Sequence, residues 1–260
     1  MIVLIVFWRK LNKVKTYSSK MADWLHQEGY THCFFVAGGN IMHAINAFRL
    51  KFTMIPFVHE SALTIACEYF NLSSKKRYSQ DKSFCLVTAG PGITNAITGI
   101  AGSHIESREL LIIGGQVKTS DLSNGLRQKG IQEINGVDIL RPITKESVLL
   151  TSPINRSSFT KLCQKTYTAR PGSVFIEIPL DVQGSTIPAK YYQKIPFAKS
   201  AKKNNKYKLN KQKIYKQLKK AKRPIILLGG GVQGHKVENF EEKLLQLNIP
   251  VQTTWNGIDL

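Results

Sequence analysis

Phe84-Cys85-Leu86-Val87-Thr88-Ala89-Gly90-Pro91-Gly92-Ile93-Thr94-Asn95 is the stretch on which the fold turns. Residues 84–88 read as a strand, the Gly-Pro-Gly cluster as a tight turn, and residues 93–104 as a helix. The same pattern recurs on both sides. Upstream, residues 16–28 open on Thr/Ser capping candidates and stop at Gly29, a punctuated helix. Residues 32–37 and 54–58 then read as strands, and 41–50 and 60–72 as helices, with a polar loop over 73–82. Downstream, residues 110–113 read as a strand ended by Gly114-Gly115, residues 157–168 as a helix and 174–178 as a further strand. Short apolar strands alternating with helices predict an α/β domain, a mostly parallel sheet flanked by helices.

The composition agrees. Of 260 residues 42% are hydrophobic and 21% charged, which argues against a disordered chain and a membrane bundle. Cys33, Cys67, Cys85 and Cys163 lie in or beside apolar segments with no CxxC spacing, as buried thiols of a cytoplasmic protein would. The net charge of +20 is uneven. Residues 190–223 hold 14 of the 37 basic groups and none of the 17 acidic ones, leaving a net of +6 elsewhere. A Lys-rich run without regularly interleaved aromatic platforms reads as a solvated linker and helix. Its alternative is a module that binds nucleic acid or an acidic membrane surface; the expectation is neither nucleic acid nor membrane as a partner.

Residues 1–15 read as an atypical N-terminal extension, because the apolar run over 1–8 is too short to span a bilayer. The main domain is expected over 16–184, the Lys-rich linker and first helix over 185–222, with a basic helix over 210–221, and a second α/β unit opens at 223–260 without completing. In that unit Gly229-Gly230-Gly231-Val232-Gln233-Gly234 formally matches GxGxxG. No acidic residue stands near 253–254, where a dinucleotide site would want one.

Ligands of parallel sheets bind beyond the carboxyl ends of the strands. Four such ends carry small or polar residues: Val36-Ala37-Gly38-Gly39, His59-Glu60, Thr88-Ala89-Gly90-Pro91-Gly92 and Gly114-Gly115-Gln116. Glycines admit close backbone approach and a following helix offers free N–H groups, although any α/β domain needs such turns. Glu60 stands out as a carboxylate at the head of a helix, where capping alone would also account for it. His59 is either a general base or a hydrogen-bonded structural residue. No HExxH, DxDxDG or GxSxG pattern occurs, so no metal ligands are assigned.

Taken in order, Phe34-Phe35-Val36-Ala37-Gly38-Gly39, His59-Glu60-Ser61-Ala62, Thr88-Ala89-Gly90-Pro91-Gly92-Ile93-Thr94-Asn95, Ile113-Gly114-Gly115-Gln116-Val117, Gln132-Glu133, Arg141-Pro142-Ile143-Thr144-Lys145 and Arg170-Pro171-Gly172-Ser173-Val174 resemble thiamine-diphosphate-dependent enzymes of the acetolactate synthase type. The resemblance implies a pyrimidine-binding domain over 16–184, followed by the start of a Rossmann-like central domain. It implies that Glu60 is catalytic, sharing a proton with the aminopyrimidine ring so that the imino tautomer forms and its exocyclic nitrogen can take the C2 proton. Val36, Ala37, Gly38, Thr88, Pro91 and Asn95 then match cofactor-binding positions, and Gln132 matches a glutamine near the reacting centre. The implied cofactor is thiamine diphosphate and the implied substrate a 2-keto acid.

The match has departures. Ala37 stands where the family often has Pro, Lys118 follows Gly-Gln-Val where Pro is usual, Ile131 replaces a common Phe, and Gln132 lies further from Gln116. The chain contains no Asp-Gly pair, whereas the family holds diphosphate and magnesium with Gly-Asp-Gly. Only the pyrimidine half of the cofactor site is therefore expected here, with the magnesium site on a missing domain. That implies a truncated chain inactive alone, with a homo-oligomer or a chain carrying the diphosphate half as partner. The alternative is one subunit of a two-chain decarboxylase. Nothing in these residues supports FAD.

Overall fold

The computed structural model describes residues 15–76, 80–195, 210–232 and 239–258. Nearly all of the N-terminal extension, much of the Lys-rich linker and the end of the GxGxxG match lie outside them. Two compact units divide the chain, Met1–Pro196 and Phe197–Leu260.

The first unit opens with α1 (Tyr17–Gln27). Thr16 caps it, its hydroxyl accepting the Ser19 N–H at 3.2 Å. Gly29, at φ +87°, turns the chain out into β1 (Tyr30–Phe35). There follow α2 (Met42–Phe48), β2 (Thr53–Pro56), α3 (Glu60–Lys76), β3 (Lys82–Val87), α4 (Pro91–Glu106) and β4 (Leu110–Gln116). The short α5 (Gly136–Leu140), β5 (Glu146–Leu149), α6 (Arg156–Lys165), β6 (Ser173–Pro179) and α7 (Leu180–Gly184) complete the unit. The six strands form one sheet in the order β2-β1-β3-β4-β6-β5, and every neighbouring pair is parallel.

Strand alternation sends side chains to two apolar layers. Cys85 and Val87 of β3, Ile112 of β4 and Phe175 of β6 join Leu63, Cys67, Ile93, Ala96, Ile100 and Leu140 from α3, α4 and α5. On the other face Phe84 packs its ring 5.5 Å from Phe48 and 5.1 Å from Phe52, and Trp24 lies 5.6 Å from Phe159. All four cysteines are buried free thiols, and burial pushes those of Cys33, Cys85 and Cys163 up.

Three expectations need correction. Residues 73–76 continue α3 instead of opening a loop. Near this end Asn71 ties α3 to β3: the Ser83 N–H donates to its Oδ1 at 2.7 Å and its Nδ2 donates to the Ser83 carbonyl at 3.2 Å. Gly114 and Gly115 are strand residues and not a turn. They are small because neighbours press on them. A Cβ on Gly114 would lie 2.6 Å from the Phe175 ring, and one on Gly115 2.2 Å from the Asn40 carbonyl oxygen. Finally, β5 was not foreseen: its four residues include Glu146 and Ser147, and it pairs only with β6 at the sheet edge.

In the second unit the basic helix α8 (Lys211–Lys220) is exposed throughout, as the Lys-rich sequence requires. Parallel β7 (Ile226–Leu228) and β8 (Val251–Thr253) flank α9 (Phe240–Leu245), and Gly230–Val232 form a single 3-10 turn. Among the described residues no helix is long and apolar enough to cross a membrane.

Candidate functional site

The chain leaves β1 toward β2 on one side of the sheet, while β3 lies on the other, so the order reverses between β1 and β3. Such a reversal opens a crevice at the carboxyl ends of the two strands. The segments that follow β1 and β3 meet there. A Cβ on Gly38 would stand 2.4 Å from the Thr88 Cβ, and one on Gly92 2.9 Å from the Thr88 Cγ2 and 3.5 Å from Glu60 Oε1. Glycine is therefore required at both positions for the backbones to close around Thr88. Thr88 Oγ1 is buried and has no hydrogen-bond partner among the described residues, an unmade bond of the kind a ligand completes.

Glu60 begins α3 and is 7% exposed. Its Oε2 accepts the Asn95 Nδ2 of α4 at 3.1 Å. Ser61 Oγ donates to the Asn95 carbonyl at 2.6 Å, so two bonds tie the first turns of α3 and α4 together. Further along, a Cβ on Gly99 would lie 2.2 Å from Thr64 Oγ1, so glycine alone lets the helices approach this closely. The cap of α3 belongs to His59, whose carbonyl accepts the Leu63 N–H and whose Nδ1 accepts the Ser61 N–H at 3.3 Å. Of the two uses open to each residue, capping thus falls to His59, and the carboxylate of Glu60 is turned to α4.

Gln132 reaches the same region from the loop over 117–135. It adopts φ +60°, uncommon for a side-chain-bearing residue, and packs on Gly90. A Cβ on Gly90 would meet the Gln132 carbonyl oxygen at 2.5 Å. The remaining residues are placed differently. Val36 packs on the core, Ala37 is exposed, and Pro91 is exposed at the first position of α4. The contacts above join Gly38, Thr88, Gly92, Glu60 and Asn95, with Gln132 on the adjoining Gly90.

Two carboxylates escaped the sequence analysis as site features. Glu177, 1% exposed on β6, is pushed up to about 8 by burial and by the charge of Glu133, against the bond from Gln116. Its only sequence signal was one acid in the apolar run 174–178. Burial opposes the charge on Glu133, yet the N–H groups of Gly130, Ser123 and Lys129 outweigh it and hold that carboxyl at about 2. Among the described residues no group of three or more His, Cys, Asp or Glu side chains could hold a metal ion.

Residues 15–139 match the family model for the thiamine pyrophosphate enzyme, N-terminal TPP binding domain. The chain is 31% identical over 242 residues to a "Probable acetolactate synthase large subunit" of Methanocaldococcus jannaschii, covering 90% of this chain and 39% of that protein. It is 30% identical over 240 residues to the acetolactate synthase large subunit of Haemophilus influenzae, covering 90% and 40%. To that of Lactococcus lactis it is 31% identical over 259 residues, covering 96% and 42%. The chain spans about two fifths of the length of these curated relatives. With its six-stranded parallel sheet and this match, the chain carries, over residues 15–139, the N-terminal TPP binding domain of the thiamine pyrophosphate enzyme family, and it is similar to part of the acetolactate synthase large subunits.

Proposed function

We propose that residues 16–184 form the pyrimidine-binding part of a thiamine-diphosphate-dependent carboligase or decarboxylase that acts on a 2-keto acid. The observation that carries it is the buried Glu60 carboxylate, held by Asn95 beside the unpartnered Thr88 hydroxyl and the glycine-lined crevice of Gly38 and Gly92. These residues fit an aminopyrimidine, a flat ring with donors and acceptors on its edge. Glu60 would hold the proton shared with a ring nitrogen and Asn95 would orient the carboxyl. Thr88 would bond the ring edge, and Val36, Ala37, Gly38 and Pro91 would bound the pocket. Gln132 would face the substrate from its loop. Once bound, the coenzyme supplies the electron sink for loss of carbon dioxide from the keto acid.

The diphosphate and its magnesium ion would be held by a separate domain outside these 260 residues, since they contain no Asp-Gly pair. Isolated, residues 1–260 would then turn over no pyruvate.

The test measures exchange of the thiazolium C2 proton of thiamine diphosphate by NMR, with magnesium present. The chain is studied alone and mixed with the C-terminal part of an acetolactate synthase large subunit. Exchange is expected to accelerate only in the mixture and to fall at least 100-fold with Glu60→Gln. Equal exchange by the Glu60→Gln mixture would rule the assignment out.

A further inference from the structure

The loop over 117–135 is tied at both ends to one side chain. Gln116 Oε1 accepts the Val117 N–H at 2.9 Å, at the start of the loop. Gln116 Nε2 donates one hydrogen to the Ile134 carbonyl at 2.9 Å, at its end, and the other to Glu177 Oε1 at 2.9 Å. Both amide hydrogens and the amide oxygen are thereby engaged. A flipped amide would set its oxygen against both the Ile134 carbonyl and Glu177 Oε1, so the two acceptors together select the orientation that closes the loop. The body of the loop is gathered separately. Glu133 accepts the N–H groups of Ser123, Lys129 and Gly130, and Gly130 seats on Val117, where a Cβ would stand 2.5 Å from Cγ1. Gln132 sits between these two anchorages, against Gly90.

We propose that Glu177 is a positioning residue: acting through Gln116, it fixes the root of the 117–135 loop and so holds Gln132 against Gly90. The proposal rests on the reading of Gln132 as a site residue. Glu177 faces Gly114 and Gln116 from β4, Leu149 from β5, and Gly136 from α5, where a Cβ would lie 2.8 Å from its Oε1 and 2.9 Å from Ile93 of α4. The charge acting on it is that of Glu133. Asp138 of α5 and Glu146 of β5 are paired to Arg141 and Lys165. The bond from Gln116 favours the ionised carboxyl, whereas burial and the charge of Glu133 favour the neutral one, so the root of the loop senses the protonation of Glu177.

The experiment follows the Gly90 and Gln132 amide signals of the whole chain by NMR from pH 6 to 9, without coenzyme. Exchange of the Ser123, Lys129 and Gly130 amides, corrected for intrinsic rates, is measured in parallel. The native chain should show a common step near pH 8. Glu177→Gln, which keeps the acceptor, should hold the closed signals with no step. Glu177→Leu should shift Gly90 and speed loop exchange at least tenfold. A folded Glu177→Leu chain with native Gly90 and loop signals would overturn the proposal. Should that variant not fold, a native profile flat through pH 8, or a step that persists in Glu177→Gln, would overturn it instead. No signal here depends on coenzyme, so failure of the loop proposal leaves C2-proton exchange standing, and the reverse.

Discussion

Asn95 donates its side-chain amide to Glu60 at 3.1 Å while its backbone carbonyl accepts Ser61 Oγ at 2.6 Å. One residue of α4 thus orients the carboxylate and anchors the turn that carries it. Asn95→Ala would leave that carboxylate buried without the bond. The chain should lose about 1–3 kcal/mol of stability, read from urea denaturation. Asn95→Asp, which sets a second carboxylate against the first, should cost more at pH 7 than at pH 4.

Thr88 invites the opposite outcome. Its buried hydroxyl has no hydrogen-bond partner among the described residues. Thr88→Val keeps the shape and removes the orphan, so stability without ligand should be unchanged or rise by about 1 kcal/mol in thermal melts. The same variant should weaken thiamine diphosphate binding in the mixed complex about tenfold.

Gly99 reverses the usual preference for alanine within a helix. A Cβ there would stand 2.2 Å from Thr64 Oγ1 and 2.9 Å from the Ile65 nitrogen, so α3 and α4 must separate to admit it. Gly99→Ala should destabilise by about 1–3 kcal/mol instead of adding about 1 kcal/mol. Chemical denaturation of the purified chain reads the sign directly.

Glu177 sets a pH dependence whose sign follows from its raised value of about 8. Between the ordinary carboxyl range and pH 8 the folded chain holds a proton that the unfolded chain has released. Stability therefore falls as pH rises through that window and levels above it. The contribution is on the order of 3–5 kcal/mol. Subtracting the stability profile of Glu177→Gln from that of the native chain should leave this slope, and a flat difference from pH 4.5 to 8 would contradict it.

What was legible in the residues was local. Thr16 and Gly29 bracket α1 because a hydroxyl acceptor and a left-handed residue act on their own neighbours. Gly90-Pro91-Gly92 marks the β3–α4 turn for the same reason, with Pro91 at the first helical position and Gly90 at φ +63°. Glu60 could be singled out as a candidate because it is a carboxylate placed after a strand and at the head of a helix. Gly114 and Gly115 misled because a glycine needed for a turn and one needed for close packing look alike until Phe175 and Asn40 are in place. β5 was missed because its partner, β6, lies far along the chain, and the polar residues 73–76 misled because they continue α3.

The amino-acid order by itself determined the alternation of strands and helices, the parallel sheet that such alternation demands, and the side chains able to do chemistry. Which of those side chains meet was decided only in three dimensions. Asn95 reaches Glu60 across 35 positions, and Gly38 closes on Thr88 from a different strand. Gln132 arrives from a loop rooted on Glu177. Those encounters depend on strand order and close packing, which arise from contacts between distant segments and leave no periodic trace along the chain.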